Sequence, residues 1–385
     1  MKFALTLSAM AASTAVTALY IPEPRPVNVE ERLYTVELAP GETKLVTEDQ
    51  KWELLAQGKH FIDITDYQYI DSRRVRVAPS NFPADVAFKA QVNSIIPKLS
   101  AENVRANLEK YTSFNNRYYK SDTGKEAAEW LKSQVDGLIK SASERSGKKV
   151  AATVKPFVHS GWGQTSVIAT IPGKSTKTIV VGAHLDSINL SNPRTGRAPG
   201  ADDNGSGSMT ILESFKALLS DADVAAGNSP NTIEFHWYAG EEAGLLGSQA
   251  IFKQYKGEKR EIKAMLNQDM TGYTKGTIDA GQPESMGVVT DNVDKDLTAF
   301  VKKVIAAYCS IPAVDTKCGY ACSDHASASR NGYPSAFVIE SPMDYSSELI
   351  HSTRDSMDTV NPQHMIEHAK MVVGFAYELG HAENL

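Results

Sequence analysis

Pro199-Gly200-Ala201-Asp202-Asp203-Asn204-Gly205-Ser206-Gly207 stands between a strand-like run and a helical pattern that carries Met209, Leu212, Phe215 and Leu219 on one side. The three glycines allow a sharp turn and a close approach of the backbone to something bound. Two adjacent acids occupy the middle of that turn. A carboxylate held on a rigid glycine turn offers two oxygens, enough to coordinate one metal ion or to bridge two. An Asx-type turn ahead of a helix would explain the same residues without chemistry. The rest of the chain decides between the two.

Outward from this stretch the pattern alternates. Strand-like runs at 177–182, 232–238, 262–266 and 335–339 are each followed by a helical pattern, at 208–219, 246–255, 294–308 and 362–379. Three more helical patterns precede them, at 85–98, 101–110 and 125–143. Strands separated by helices predict an α/β protein whose largely parallel sheet is covered on both faces. Ligands of such sheets bind beyond the carboxyl ends of the strands. His184-Leu185-Asp186 follow the first run, Glu241-Glu242 the second and Asp269 the third, with Glu340 and His351 after the fourth.

His184, Asp203, Glu242, Asp269 and His351 supply two imidazoles and three carboxylates. Two His/carboxylate sets sharing one bridging carboxylate suit a pair of zinc ions about 3.5–4 Å apart. Five acids in one pocket (Asp186, Asp203, Glu241, Glu242 and Asp269) would repel one another strongly without metal. Each residue alone has a bland explanation. A histidine after a strand is usually a hydrogen-bonded core residue, and Glu-Glu at a helix start favours the macrodipole. Five such accidents at matching strand ends are improbable.

Gly182-Ala-His-Leu-Asp-Ser187, residues 199–207, Gly240-Glu-Glu-Ala-Gly244, Gln268-Asp-Met-Thr271, Cys318-Gly-Tyr-Ala-Cys-Ser-Asp-His325 and Ile350-His-Ser-Thr353 resemble the di-zinc leucine aminopeptidases secreted by fungi and some bacteria. The likeness runs from about Pro83 to the end. It implies a three-layer sandwich with a central mixed, mostly parallel β-sheet flanked by helices, the zinc-dependent exopeptidase type. It also implies two Zn2+ per chain: Asp203 bridges them, Glu242 and His351 hold one, and His184 and Asp269 hold the other. A cis peptide after Asp203, and Asp186 orienting His184 and fixing its tautomer, belong to the same expectation.

Glu241 is the acid left without a metal, and its role is general base. It takes a proton from the metal-bound water, leaving a metal-bridging hydroxide to attack, and delivers that proton to the leaving amine. Tyr320 is placed to hydrogen-bond the oxyanion, and Met270, Phe337, Tyr345 and Ile350 to line an apolar pocket for a leucine-like first residue. The acid-rich site suits a free α-ammonium. A carboxypeptidase would need arginines, for which Arg330 and Arg354 are the candidates by sequence.

Met1 to about Ala18 reads as a secretory signal: Lys2, an apolar run, then small residues. Residues 19–80, charged and opened by Pro22, Pro24 and Pro26, read as a prosegment with Arg73-Arg74 as a processing site. A small regulatory domain that stays attached is the alternative. The catalytic body is 81–385. In a secreted chain Cys318 and Cys322 form a small disulfide loop, whereas in the cytosol such a pair would suit a metal. Closing so short a loop gains only about 2 kcal/mol, so pinning Tyr320 over the site is a better reason for it than stability. Cys309 is then an odd thiol buried in its helix. Of two sequons, Asn189-Leu-Ser191 is the candidate for glycosylation, and Asn204-Gly-Ser206 stays bare inside the metal loop.

A net charge of -6 with no basic run argues against nucleic acid. The reading is a secreted, extracellular, monomeric zymogen of a zinc aminopeptidase. It acts on peptides with a free N-terminus and binds neither membrane nor nucleic acid. The rivals are a related zinc hydrolase (carboxypeptidase or one-zinc aminoacyl cyclase) and a catalytically inactive binding module.

Overall fold

The structure, a computed structural model, describes residues 32–67 and 81–385. The expected signal, the three prolines and Arg73-Arg74 lie outside the described residues. Leu33–Leu385 make one compact unit.

Its first part is a strand pair, β1 (Tyr34–Ala39) and β2 (Glu42–Val46), then helix α1 (Glu48–Ala56) and the short strand β3 (Ile62–Asp63), which pairs antiparallel with β1. Thr47 and Gln50 close a capping box on α1. Tyr34, Val36, Val46 and Leu54 form a small apolar cluster here. Lys51 is fully buried beside them, its Nζ 2.8 Å from Asp63 Oδ2.

The body opens with α2 (Lys89–Ile95), α3 (Ala101–Thr112) and α4 (Asp122–Ser146), then β4 (Thr153–Phe157), β5 (Ser166–Ile171) and β6 (Thr178–His184). After the metal-loop candidate come α5 (Gly207–Leu218), α6 (Ala222–Ala225), β7 (Thr232–Tyr238), α7 (Leu246–Gly257), β8 (Ile262–Gln268) and α8 (Lys275–Asp279). The chain ends with β9 (Met286–Val289), α9 (Lys295–Tyr308), β10 (Ala313–Thr316), α10 (His325–Arg330), β11 (Ser335–Ile339) and α11 (Pro362–His381). The eight strands of the body form one sheet in the order β10-β9-β11-β8-β6-β7-β5-β4. The central strands β11, β8, β6 and β7 run parallel, β5 and β4 are added antiparallel, and β9 is antiparallel to β11. This is the mixed, mostly parallel sheet flanked by helices that the sequence implies.

Strand β6 is buried along its whole length, as a central parallel strand covered on both faces must be. The antiparallel edge was not read from sequence. In β4, Val154, Lys155 and Pro156 lie on a partly exposed edge where proline costs no ladder bond. Helix α5 departs from a one-sided pattern: it is buried nearly all round, because α11 packs over its outer side. Among the described residues no helix is long and apolar enough to cross a membrane.

Candidate active site and metal centre

Strand ends deliver the first group. His184 closes β6, and Asp269 follows the last residue of β8. Across the sheet, Asp203 sits in the turn of residues 201–206, where the Asp203–Asn204 peptide is cis. Gly200 turns the chain at φ +53°; a Cβ there would stand 2.5 Å from the Asp203 carbonyl oxygen. The buried Arg117 guanidinium donates to the carbonyls of Pro199, Gly200 and Leu185, holding this turn against the end of β6.

His184 Nε2 lies 3.0 Å from Asp203 Oδ1 and 3.2 Å from Asp269 Oδ1. His351 Nε2 lies 3.0 Å from Asp203 Oδ2 and 2.9 Å from Glu242 Oε2. Asp203 thus presents one oxygen to each histidine. The five residues divide into two triads, His184/Asp203/Asp269 and Asp203/Glu242/His351, each with its donor atoms within 4.8 Å of one another. Ser323, a residue that sequence reasoning left without a role, donates to Asp269 Oδ2 at 2.6 Å and is itself held by Asn267. The motif Cys322-Ser323-Asp324-His325 was the available signal.

Burial drives the protonation of this pocket. It pushes Glu241 well above the usual carboxylate range, with Asp324, Asp269 and Glu242 adding to the effect against the pull of His184. It pushes Glu242 up to about 7. Burial would lower both histidines, but Asp269 and Glu241 hold His184 well above an ordinary imidazole, and Glu242 and Asp203 do so for His351. Hydrogen bonds from the two histidines hold Asp203 well below the carboxylate range in spite of its burial. In the absence of a cation, positive charge on the two histidines offsets these acids; a bound cation would take that place. Glu242 Oε1 is buried with no hydrogen-bond partner. An N/O donor set with an orphaned carboxylate oxygen and excess negative charge fits a divalent cation in each triad.

Asp186 has a role beyond the one expected of it. His184 Nδ1 is 3.4 Å from Asp186 Oδ1, long and off-axis for a hydrogen bond. The same carboxylate accepts from the backbone N–H groups of Glu241 (3.0 Å) and Glu242 (3.2 Å). It fixes the loop that brings both glutamates in.

A cavity of about 140 Å³ opens on Asp203, Glu241, Glu242, Asp269 and His351. Met270, Phe337 and Ile350 line it as expected; Tyr345 does not, and Met343 from the same turn takes its place, with Ile339. Among the described residues no lysine or arginine lines it. Arg330 pairs with Glu37 instead, and Arg354 is exposed. A larger cavity of about 650 Å³ lies beside α7 and α10 and holds none of the triad residues.

Tyr320 lies at the rim, between the disulfide-bonded Cys318 and Cys322. Its ring stacks on His60 at 4.1 Å between centroids, and its hydroxyl is 2.9 Å from His60 Nδ1. Leu55, His60 and Phe61 close the cavity from the N-terminal segment. Cys309 is a free thiol just past the end of α9 rather than inside it; only partly buried, it donates to the Glu367 carbonyl. Asn189, the expected glycan acceptor, is buried; its Nδ2 donates to the Arg197 carbonyl and its Oδ1 accepts from Ser191 N. Asn204 is wholly buried, with Nδ2 on the Gln268 carbonyl.

Among known proteins, the pattern described as Peptidase family M28 matches residues 166–376. Leucine aminopeptidase 1 of Colletotrichum graminicola is 55% identical over 356 residues, covering 92% of this chain and 88% of that protein. Probable leucine aminopeptidase 1 of Trichophyton verrucosum is 52% identical over 380 residues, covering 98% and 100%. The crystal structure of the Legionella pneumophila LapA aminopeptidase superposes with a TM-score of 0.77 at 29% identity, over 91% of this chain and 94% of that one.

Proposed function

The chain belongs to peptidase family M28, and from that premise we propose that it is a secreted zinc aminopeptidase removing leucine-like residues from the free N-terminus of peptides. One observation carries the reading. The cavity beside the two triads is rich in acids, has no lysine or arginine among the described residues of its wall, and is backed by Met270, Phe337, Ile339, Met343 and Ile350. Such a wall welcomes an α-ammonium and an aliphatic side chain and offers nothing to an α-carboxylate.

His184 and Asp269 would hold one Zn2+, Glu242 and His351 the other, and Asp203 both. Bound zinc would supply Lewis acidity, polarising the scissile carbonyl and acidifying the attacking water. Glu241 takes that water's proton and returns it to the leaving amine. Asp186 orients this base through the Glu241 N–H. Tyr320 donates to the oxyanion once its hydroxyl is freed from His60.

That contact supports the zymogen reading. Residues 19–80 are the prosegment, and its part from Leu33 to Tyr67 shuts the mouth of the cavity until cleavage in the segment around Arg73-Arg74. Export through a signal at 1–18 agrees with the disulfide, which belongs in an oxidising compartment. The working form is a monomer.

The test uses the cleaved protein with leucine amide, N-acetyl-leucine amide and a peptide blocked at its N-terminus. Hydrolysis of the free amine only, with about two zinc ions per chain by elemental analysis, is expected. Equal turnover of the blocked substrates would point to the carboxypeptidase, and a single zinc to the cyclase.

A further inference from the structure

We propose that Asp355 is a positioning residue that sets the bridging carboxylate of Asp203 and locks its turn to the loop that carries His351. The inference rests on the di-metal reading above. Asp355 is 1% exposed and lies four residues after His351. Its Oδ1 accepts from Asp202 N at 2.8 Å, its Oδ2 from Asp203 N at 3.0 Å, and its carbonyl from Ala201 N at 3.2 Å. Three consecutive backbone N–H groups of the glycine turn are therefore taken by one residue of the histidine loop. A carboxylate with both oxygens committed to the backbone is a rigid fork, each arm a charge-assisted bond.

The arrangement repeats the one at Asp186. That carboxylate lies two residues after the other histidine ligand, His184, and forks onto the N–H groups of Glu241 and Glu242. Each histidine loop thus sends an acid to grip the loop that supplies carboxylates. Asp203 needs such help, because its own turn is glycine-rich and the histidine loop is under strain: His351 sits at φ +55°, a left-handed conformation that few non-glycine residues adopt. Its carbonyl is anchored by Leu190 N at 3.0 Å. Asp355 supplies the second anchor, so that Asp203 Oδ2, Glu242 Oε2 and His351 Nε2 converge.

Asparagine at 355 keeps the shape but turns one arm of the fork into a donor facing a donor. In full-length Asp355→Asn, zinc affinity measured by competition with chelators of graded strength should fall about 10–100-fold, the usual effect of losing a partner that orients a ligand. The loss should involve both ions, because Asp203 is shared, and the cobalt(II)-substituted protein should show altered visible absorption. The far-UV spectrum and the melting temperature of the metal-free form should match those of the parent. A folded Asp355→Asn that binds both zinc ions within twofold of the parent overturns the proposal. If that variant does not accumulate, Asp355→Glu keeps the charge and both oxygens while moving them by one methylene. Weakened zinc in a folded Asp355→Glu supports the role, and unchanged zinc overturns it. Failure of both variants to fold, with or without zinc, makes Asp355 a folding residue only and also overturns it. Absence of zinc binding in the parent would instead sink the metal reading itself.

Discussion

The body and the N-terminal segment that lies on it are built on different physics. Beneath the active-site loops, the sheet buries a large apolar core on one face, from Val167 and Ile179 to Phe375 and Leu379, and a smaller one on the other, around Val180, Tyr238 and Phe252. The segment from Leu33 to Tyr67 has only a small apolar cluster around a buried Lys51–Asp63 pair. It does rest apolar groups on the body, Trp52 meeting Tyr118 edge-on at 5.8 Å. Its most concentrated grip is polar. Glu48 Oε1 accepts from Tyr118, Tyr119 and Lys120 at 2.6–2.8 Å, Asp49 pairs with Arg194 at 2.7 Å, and Glu37 with Arg330. Apolar burial spread over many residues is indifferent to any one of them. A charge cluster can be undone at a single atom, as the removable cover proposed above would require.

The largest expected effect falls on the body alone. Glu241→Gln keeps the backbone N–H that Asp186 holds and removes the base, so turnover of the cleaved enzyme should fall about 10²–10⁴-fold. Zinc content and the protease resistance of the uncleaved chain should be unchanged. Retention of more than a tenth of the activity would remove Glu241 from the base role. Loss of the cover in the same variant would erase the division between the two regions.

Sequence showed the body far better than the cover. The buried strands at 232–238 and 335–339 were legible to the residue, because a short apolar run between turn signals has few other readings. The five triad residues were legible because each follows such a run. What escaped was set by tertiary partners. Nothing local tells that Asp355 will meet an N–H some 150 positions upstream, or that Asp186 will serve Glu241 more than His184. Met343 faces the cavity and Tyr345 does not because a single 3-10 turn spans 343–345, and period alone cannot orient so short an element. In the segment, sequence singled out neither Glu48 nor Asp49, yet they start a capped helix and reach the body.

Changing the cover should do the reverse of changing the base. Glu48→Gln leaves every triad residue in place and weakens three hydrogen bonds to a charged acceptor, each worth about 1.5–3 kcal/mol at most. On the zymogen proposal the uncleaved parent is nearly silent, and the uncleaved variant should gain activity about 10–100-fold toward leucine amide, while the cleaved enzyme is unaffected. An uncleaved variant as silent as the parent would mean that the apolar contacts of Trp52 hold the cover by themselves.

Acid should act on the same atom. Burial alone would raise Glu48, but Lys120, Tyr119 and Tyr118 bring it from the ordinary 4.5 down to about 2. A carboxylate lowered on docking contributes its full share above about 4.5 and loses it as pH falls toward 2. Pepsin cleavage within residues 33–67 of the uncleaved chain should therefore accelerate between pH 4.5 and 2.5. Glu48→Gln should flatten that rise; an equally steep rise in the variant would assign the acid response to another group.

The smallest effect belongs where the two regions touch at the chemistry. His60 covers Tyr320 with one ring stack and one hydrogen bond, neither charge-assisted, since burial and the neighbouring His351 lower the His60 pKa and keep it neutral. A neutral bond of this kind contributes about 0.5–1.5 kcal/mol, so His60→Ala should raise the activity of the uncleaved chain only about 2- to 10-fold. Tyr320→Phe separates the two duties of that hydroxyl. In the uncleaved chain it should loosen the cover slightly, as His60→Ala does, whereas in the cleaved enzyme it should lower kcat with little change in KM, because a bond to the oxyanion forms only in the transition state. Combining both substitutions in the uncleaved chain should loosen the cover no further than His60→Ala alone, which already removes the hydrogen bond that Tyr320→Phe deletes. Additive loosening would place the partner of His60 elsewhere on the rim and leave Tyr320 to catalysis only.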